Sequence, residues 1–142
     1  MPRLIVQHPY ERQVLDVCVD KDYFLIGRRD ENDLIVLDEL VSRFHATIFC
    51  YNNGLYILDH SRNGTFYSQA GVALPLLRWS GYVEEKLDDF EEMEQFLKLV
   101  IDPDKVGLLV IEGKKLQHEG GIIVPMRGGA PFELLFLDQK CV

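Results

Sequence analysis

The chain has 142 residues, 47% of them hydrophobic, and a formal net charge of −8. That length predicts one domain spanning 1–142 with a core of its own, and the apolar share excludes wholesale disorder. The acidic balance argues against general nucleic-acid binding, and no uncharged apolar run reaches the roughly 18 residues that a membrane helix needs.

In chain order, most segments read as short strands divided by turn residues. Leu4–His8 and Val14–Val19 alternate in polarity around Pro9-Tyr10-Glu11-Arg12. Tyr23–Ile26 is apolar and stops at Gly27, Leu34–Leu37 follows Glu31-Asn32-Asp33, and Ala46–Tyr51 is a clean β run. Asn52-Asn53-Gly54 signals a hairpin, with Leu55–Leu58 returning. Strands resume at Val106–Ile111, Gly121–Val124 and Pro131–Leu137. Such a succession is what a β-sandwich produces.

Residues 80–101 break this rhythm. Val83, Leu87, Phe90, Phe96, Leu97 and Ile101 recur at helical spacing, Ser80 suits an N-cap, and Asp102-Pro103-Asp104 stops the run. Val83–Ile101 holds seven acidic residues against Lys86 and Lys98, a net −5. An acidic amphipathic helix is therefore predicted inside an insertion of about 68–105, which a sandwich tolerates because a longer surface loop adds little closure entropy. The apolar stripe of 83–101 is expected to pack on the sandwich or to serve a second partner or self-association.

The N-terminal Met1–Val6 lacks the features of a signal peptide, and Cys18, Cys50 and Cys141 are unclustered. Free thiols in the cytoplasm are expected, with no metal, cofactor or disulfide framework.

Three motifs carry the functional signal: Gly27-Arg28, then Ser42-Arg43-Phe44-His45, then Ser61-Arg62-Asn63-Gly64-Thr65. Four of the eight arginines, Arg28, Arg29, Arg43 and Arg62, lie in these loops. Guanidinium forks, a hydroxyl and tight-turn residues are the groups that hold a phosphate. In this order and spacing they resemble the forkhead-associated (FHA) domain family over 3–67 and again over 106–138. The resemblance implies an all-β sandwich of about eleven strands, here with one inserted helix. It also implies a module that binds phosphothreonine in a partner protein during signalling.

Carried over residue by residue, the resemblance implies phosphate contacts from Arg28 and Ser42 and a third from Arg43. Asn63 is expected to hydrogen-bond the main chain of the bound peptide. His45 is expected to brace the loops, with Gly27, Gly64 and Thr65 as shaping residues. Arg62 departs from the small hydroxyl residue common before Asn-Gly-Thr; it adds a positive charge or contributes only its main chain. In the family a strand and a second Gly turn follow Asn-Gly-Thr, a continuation that Glu112-Gly113-Lys114-Lys115-Leu116 resembles here.

A Ser42–His45–Asp59 triad is disfavoured because residues three apart on a strand face opposite ways, and no nucleophile elbow, Walker loop or kinase set is present. Catalysis is not expected. The open alternative is an FHA-like scaffold that binds partners without reading phosphate.

Overall fold

The computed structural model of the chain describes residues 3–7, 14–18, 23–51, 54–77, 91, 95, 113–128 and 130–138. Two sheets face each other. One has the order β2-β1-β11-β10-β7-β8, from β1 (Arg3–Gln7), β2 (Val14–Cys18), β7 (Phe66–Gln69), β8 (Val72–Pro75), β10 (Gly121–Val124) and β11 (Phe132–Leu137). The other has the order β4-β3-β5-β6-β9, from β3 (Tyr23–Gly27), β4 (Leu34–Ile35), β5 (Ala46–Tyr51), β6 (Gly54–Asp59) and β9 (Lys114–Lys115). No helix among the described residues is long and apolar enough to cross a membrane.

The core lies between the sheets. β11 alternates strictly, with Phe132, Leu134 and Phe136 buried and Glu133 and Leu135 exposed, and β10 buries Ile122 and Val124. These meet Ile26, Ile48 and Ile57 of the opposite sheet in one apolar cluster. Branched aliphatic side chains suit a pleated, covered face, and each full burial contributes roughly 1.5–3 kcal/mol.

One cross-strand row determines where function can sit. Ile26 of β3 pairs with Ala46 of β5, and Ala46 pairs with Asp59 of β6. Because these strands are antiparallel, Gly27-Arg28, Ser42–His45 and His60–Thr65 all leave from the same end of the sheet. The sequence motifs, far apart in the chain, are thereby gathered at one edge. In the other sheet, Arg3 pairs with Leu137 and Gln7 with Glu133.

The strands read from the sequence are present where the structure describes them, with ends shifted by a residue or two; Leu34–Leu37 shortens to Leu34–Ile35. The strand expected at Val106–Ile111 lies outside the described residues. So does the expected helix of 83–101, except Glu91 and Gln95, which are exposed. The turn expected at Glu112-Gly113 is found elsewhere. Phe66–Gln69 continues directly from Thr65 and turns at Ala70-Gly71 into β8, pairing Gln69 with Val72. The strand order of the predicted insertion therefore begins with a hairpin.

Ala70 and Gly71 have φ of 52° and 80°, the left-handed geometry of a two-residue hairpin loop. Glycine adopts it freely, whereas alanine is strained there by roughly 1 kcal/mol. Ala70→Asn, which restores the favoured Asn-Gly pair, should raise stability by about 1 kcal/mol in chemical denaturation. Unchanged or lower stability would show that the turn is not strained.

Candidate functional site

The edge is built on main-chain bonds. Arg28 N–H donates to Ser42 O (3.0 Å) and Arg29 N–H to Arg43 O (3.2 Å), joining the first loop to the second. Gly27 must be glycine because an added Cβ would run into Arg43 O and lie 2.8 Å from Asn32 Nδ2. Asn32, buried, donates through Nδ2 to both Arg29 O and Arg43 O.

His45 joins the second loop to the third. Its Nδ1 accepts the Ser42 N–H (3.0 Å), so the ring proton sits on Nε2, which donates to Gly64 O (3.1 Å). Burial holds this imidazole down to about 4, well below the usual 6.5. His60 lies beneath it: Nδ1 donates to Phe44 O (3.0 Å) and Nε2 accepts from the Thr47 hydroxyl (2.8 Å). Burial first, then the neighbouring His45, depresses His60 to about 3.

Asp59 shapes the third loop. Its Oδ1 accepts the Ser61 N–H (3.0 Å), the Ser61 hydroxyl (2.6 Å) and the Thr65 hydroxyl (3.0 Å). Ser61 Oγ in turn accepts the Gly64 N–H (2.9 Å), and Gly64 takes φ +97°, which a glycine accommodates. Asp59 Oδ2 is buried with no hydrogen-bond partner, and desolvation raises the carboxyl above its usual range. Sequence reading gave no supporting role to Asp59, His60 or Asn32. The Asp59-x-Ser61 spacing is itself an Asx-turn signal; the histidine offered none.

The expected contact residues come together on this frame. Ser42 Oγ accepts the Arg62 N–H (2.9 Å), leaving its hydroxyl hydrogen with no acceptor among the described residues. Asn63 Nδ2 donates to Leu40 O (2.9 Å), which fixes the amide and leaves Oδ1 facing outward from that bond. Arg28 is half-buried and its guanidinium has no hydrogen bond or ion pair to any described residue. Arg29 differs: it forks onto Glu31 at 3.2 and 3.1 Å and lies 6.0 Å over the Phe44 ring. Arg43 and Arg62 are exposed at the rim. Arg127 of the β10–β11 loop pairs with Glu39 and donates its N–H to Asp38. Residues 42–45 form a bend rather than a strand, so His45 reaches the main chain of Ser42; its ring nitrogens and the Ser42 hydroxyl are engaged separately. Among the described residues no group of three or more His, Cys, Asp or Glu could hold a metal ion.

Residues 24–74 match the family model described as FHA domain. Over that segment the chain resembles an FHA domain. Its fold is similar to the N-terminal FHA domain of S. cerevisiae Rad53p, solved with a phosphothreonine peptide (TM-score 0.57, 14% identity, 96% of this chain and 91% of that one). It is also similar to the FHA domain of CT664 from Chlamydia trachomatis (0.56, 15% identity, 98% of each chain). A third similar structure is the FhaA FHA domain complexed with the intracellular domain of Rv3910 (0.53, 15% identity, 96% and 99%). No curated protein matches the chain.

The two buried histidines make this edge acid-sensitive. Their folded-state pKa values lie below the unfolded value, so the folded protein binds fewer protons. Stability is full above pH 6.5 and should fall by a few kcal/mol as pH drops toward about 4. Asp59, with its raised pKa, acts oppositely and takes up its proton more readily when folded. Denaturation midpoints measured from pH 7.5 to 4.5 should decline, and His45→Gln should flatten the decline; a flat wild-type profile would refute the assignment.

Proposed function

We propose that this FHA domain is a phosphothreonine-dependent module that recruits phosphorylated partner proteins in signalling. The observation that carries this reading is the half-buried Arg28 guanidinium, without a partner among the described residues, beside a Ser42 hydroxyl whose hydrogen is uncommitted.

A phosphothreonine brings nearly two negative charges and three acceptor oxygens. Arg28 offers a planar fork, Ser42 a short donor, and Arg43 a further cation from the rim. Arg62 already holds Ser42 through its main chain, and its side chain adds positive charge at the same rim. Asn63, held through Nδ2 by Leu40, presents Oδ1 to a main-chain N–H of the peptide. His45, Gly27, Gly64 and Thr65 keep these groups in place. Three or four charge-assisted hydrogen bonds at roughly 1.5–3 kcal/mol each, less the ordering of a flexible peptide, give affinity on the order of micromolar.

Calorimetry should show a phosphothreonine peptide binding at least 30-fold more tightly than its unphosphorylated form, because without the phosphate Arg28 and Ser42 are desolvated unpaired. Equal affinity for the two would leave a phosphate-independent scaffold. Arg28→Ala should cost about 1.5–3 kcal/mol of peptide binding or more, with the melting temperature unchanged, since its side chain supports no other group. Binding like the wild type would remove Arg28 from the site.

A further inference from the structure

Of the three glycines at Gly27, Gly120 and Gly121, the packing of the chain requires two. A Cβ at Gly27 would strike the Arg43 carbonyl, and one at Gly120 would strike the Tyr67 hydroxyl. Gly121 is different. It lies in β10 without a left-handed φ, and a Cβ there would meet nothing nearer than Ser68 Cβ at 3.6 Å and Leu134 O at 3.9 Å. A side chain fits, yet the position holds glycine, which weakens a strand. Such a glycine often marks a place where something approaches the backbone closely.

Outside Gly121 there is room for that approach. It floors a depression of about 320 Å³ on the outer face of the six-stranded sheet, lined by Ile5, Ser68, Ile123 and Leu135. Ile5, Leu135, Gly121 and Ser68 form one row across β1, β11, β10 and β7. A sheet with one solvated face normally alternates apolar inward and polar outward. Here outward positions carry aliphatic side chains around the gap, and Leu135 is 39% exposed. Among the described residues, the charged ones lining it, Glu119 and Glu133, are both acidic and exposed.

We propose that this depression is a docking surface for a partner protein, which seats one bulky apolar side chain over Gly121 and pairs flanking Lys or Arg with Glu119 and Glu133. Charge selects this occupant: a second copy of the chain would bring net −8 to an acidic rim, and segment 83–101 would bring −5. The gap centres on Gly121, two residues along β10 from Ile123, which stands opposite Phe66 near the phosphate-binding edge. The proposal uses none of the groups assigned to the phosphate and stands independently of the phosphothreonine reading.

The probes are unphosphorylated peptides with a central Trp, Phe or Leu flanked by Arg, and Glu-flanked peptides with the same centre, titrated into isotope-labelled full chain. Arg-flanked peptides should shift the amide resonances of Ser68, Gly121, Ile123 and Leu135, and Glu-flanked ones should bind at least ten-fold more weakly. Gly121→Val should fill the gap, abolish those shifts, and hold or raise the melting temperature, because valine suits a strand. Unmoved amides, equal binding of both peptide sets, wild-type binding by Gly121→Val, or a marked fall in its melting temperature would overturn the proposal. Concentration-dependent self-association shifting the same amides would assign the surface to a second copy instead, and so overturn it too.

Discussion

Everything at the binding edge depends on one neutral imidazole held between two main chains. His45 accepts from the Ser42 N–H and donates to the Gly64 carbonyl, so the second and third loops are spaced by the width of a ring. A neutral imidazole supplies one acceptor and one donor on a single rigid ring. A charged ring would lose its acceptor nitrogen and release Ser42. Burial is what prevents this, by keeping the ring's proton affinity low. The hydrophobic core thus shapes the edge indirectly: it keeps water from the histidine that sets the spacing of the Ser42 and Gly64 loops.

Beneath that ring the polar network is nearly complete, and its two exceptions are informative. Asn32 Oδ1 and Asp59 Oδ2 are buried without hydrogen bonds. Each belongs to a side chain whose other atom binds two or three loop groups. An orphaned buried acceptor costs roughly 1–3 kcal/mol. Loop shape here is bought with stability, a balance often met where a rigid frame must hold functional loops.

The sheets and the gathering of the three motif loops at one edge were legible in the sequence because they rest on local signals. Alternation in Phe132–Leu137 and Gly121–Val124 gives the inner face directly, and Gly27-Arg28, Ser42-Arg43 and Asn63-Gly64 fall at strand ends. Less legible were elements fixed by partners distant in the chain. The β7–β8 hairpin turns on Ala70-Gly71, which lacks the usual Asn, and β8 is an edge strand ending in proline. β9 is two lysines that become a strand only by pairing with Tyr56 and Ile57. Asp59 and His60 read as the end of a strand; their roles arise from Ser61, Thr65, Thr47 and Phe44, which only the fold assembles. Arg28 and Arg29 look equivalent in the sequence, and contacts that only the fold supplies, among them Glu31 and the Phe44 ring, distinguish them.

The pairing of β1 with β11 has an architectural consequence. Arg3 stands opposite Leu137, whereas Gln7 stands opposite Glu133, near the end where β10 and β11 turn toward Asp38. The outermost residues of the first and last strands are therefore neighbours at the pole remote from the phosphate loops. The fold resembles a plug, with the ends of these two strands on one side and the three motif loops on the other.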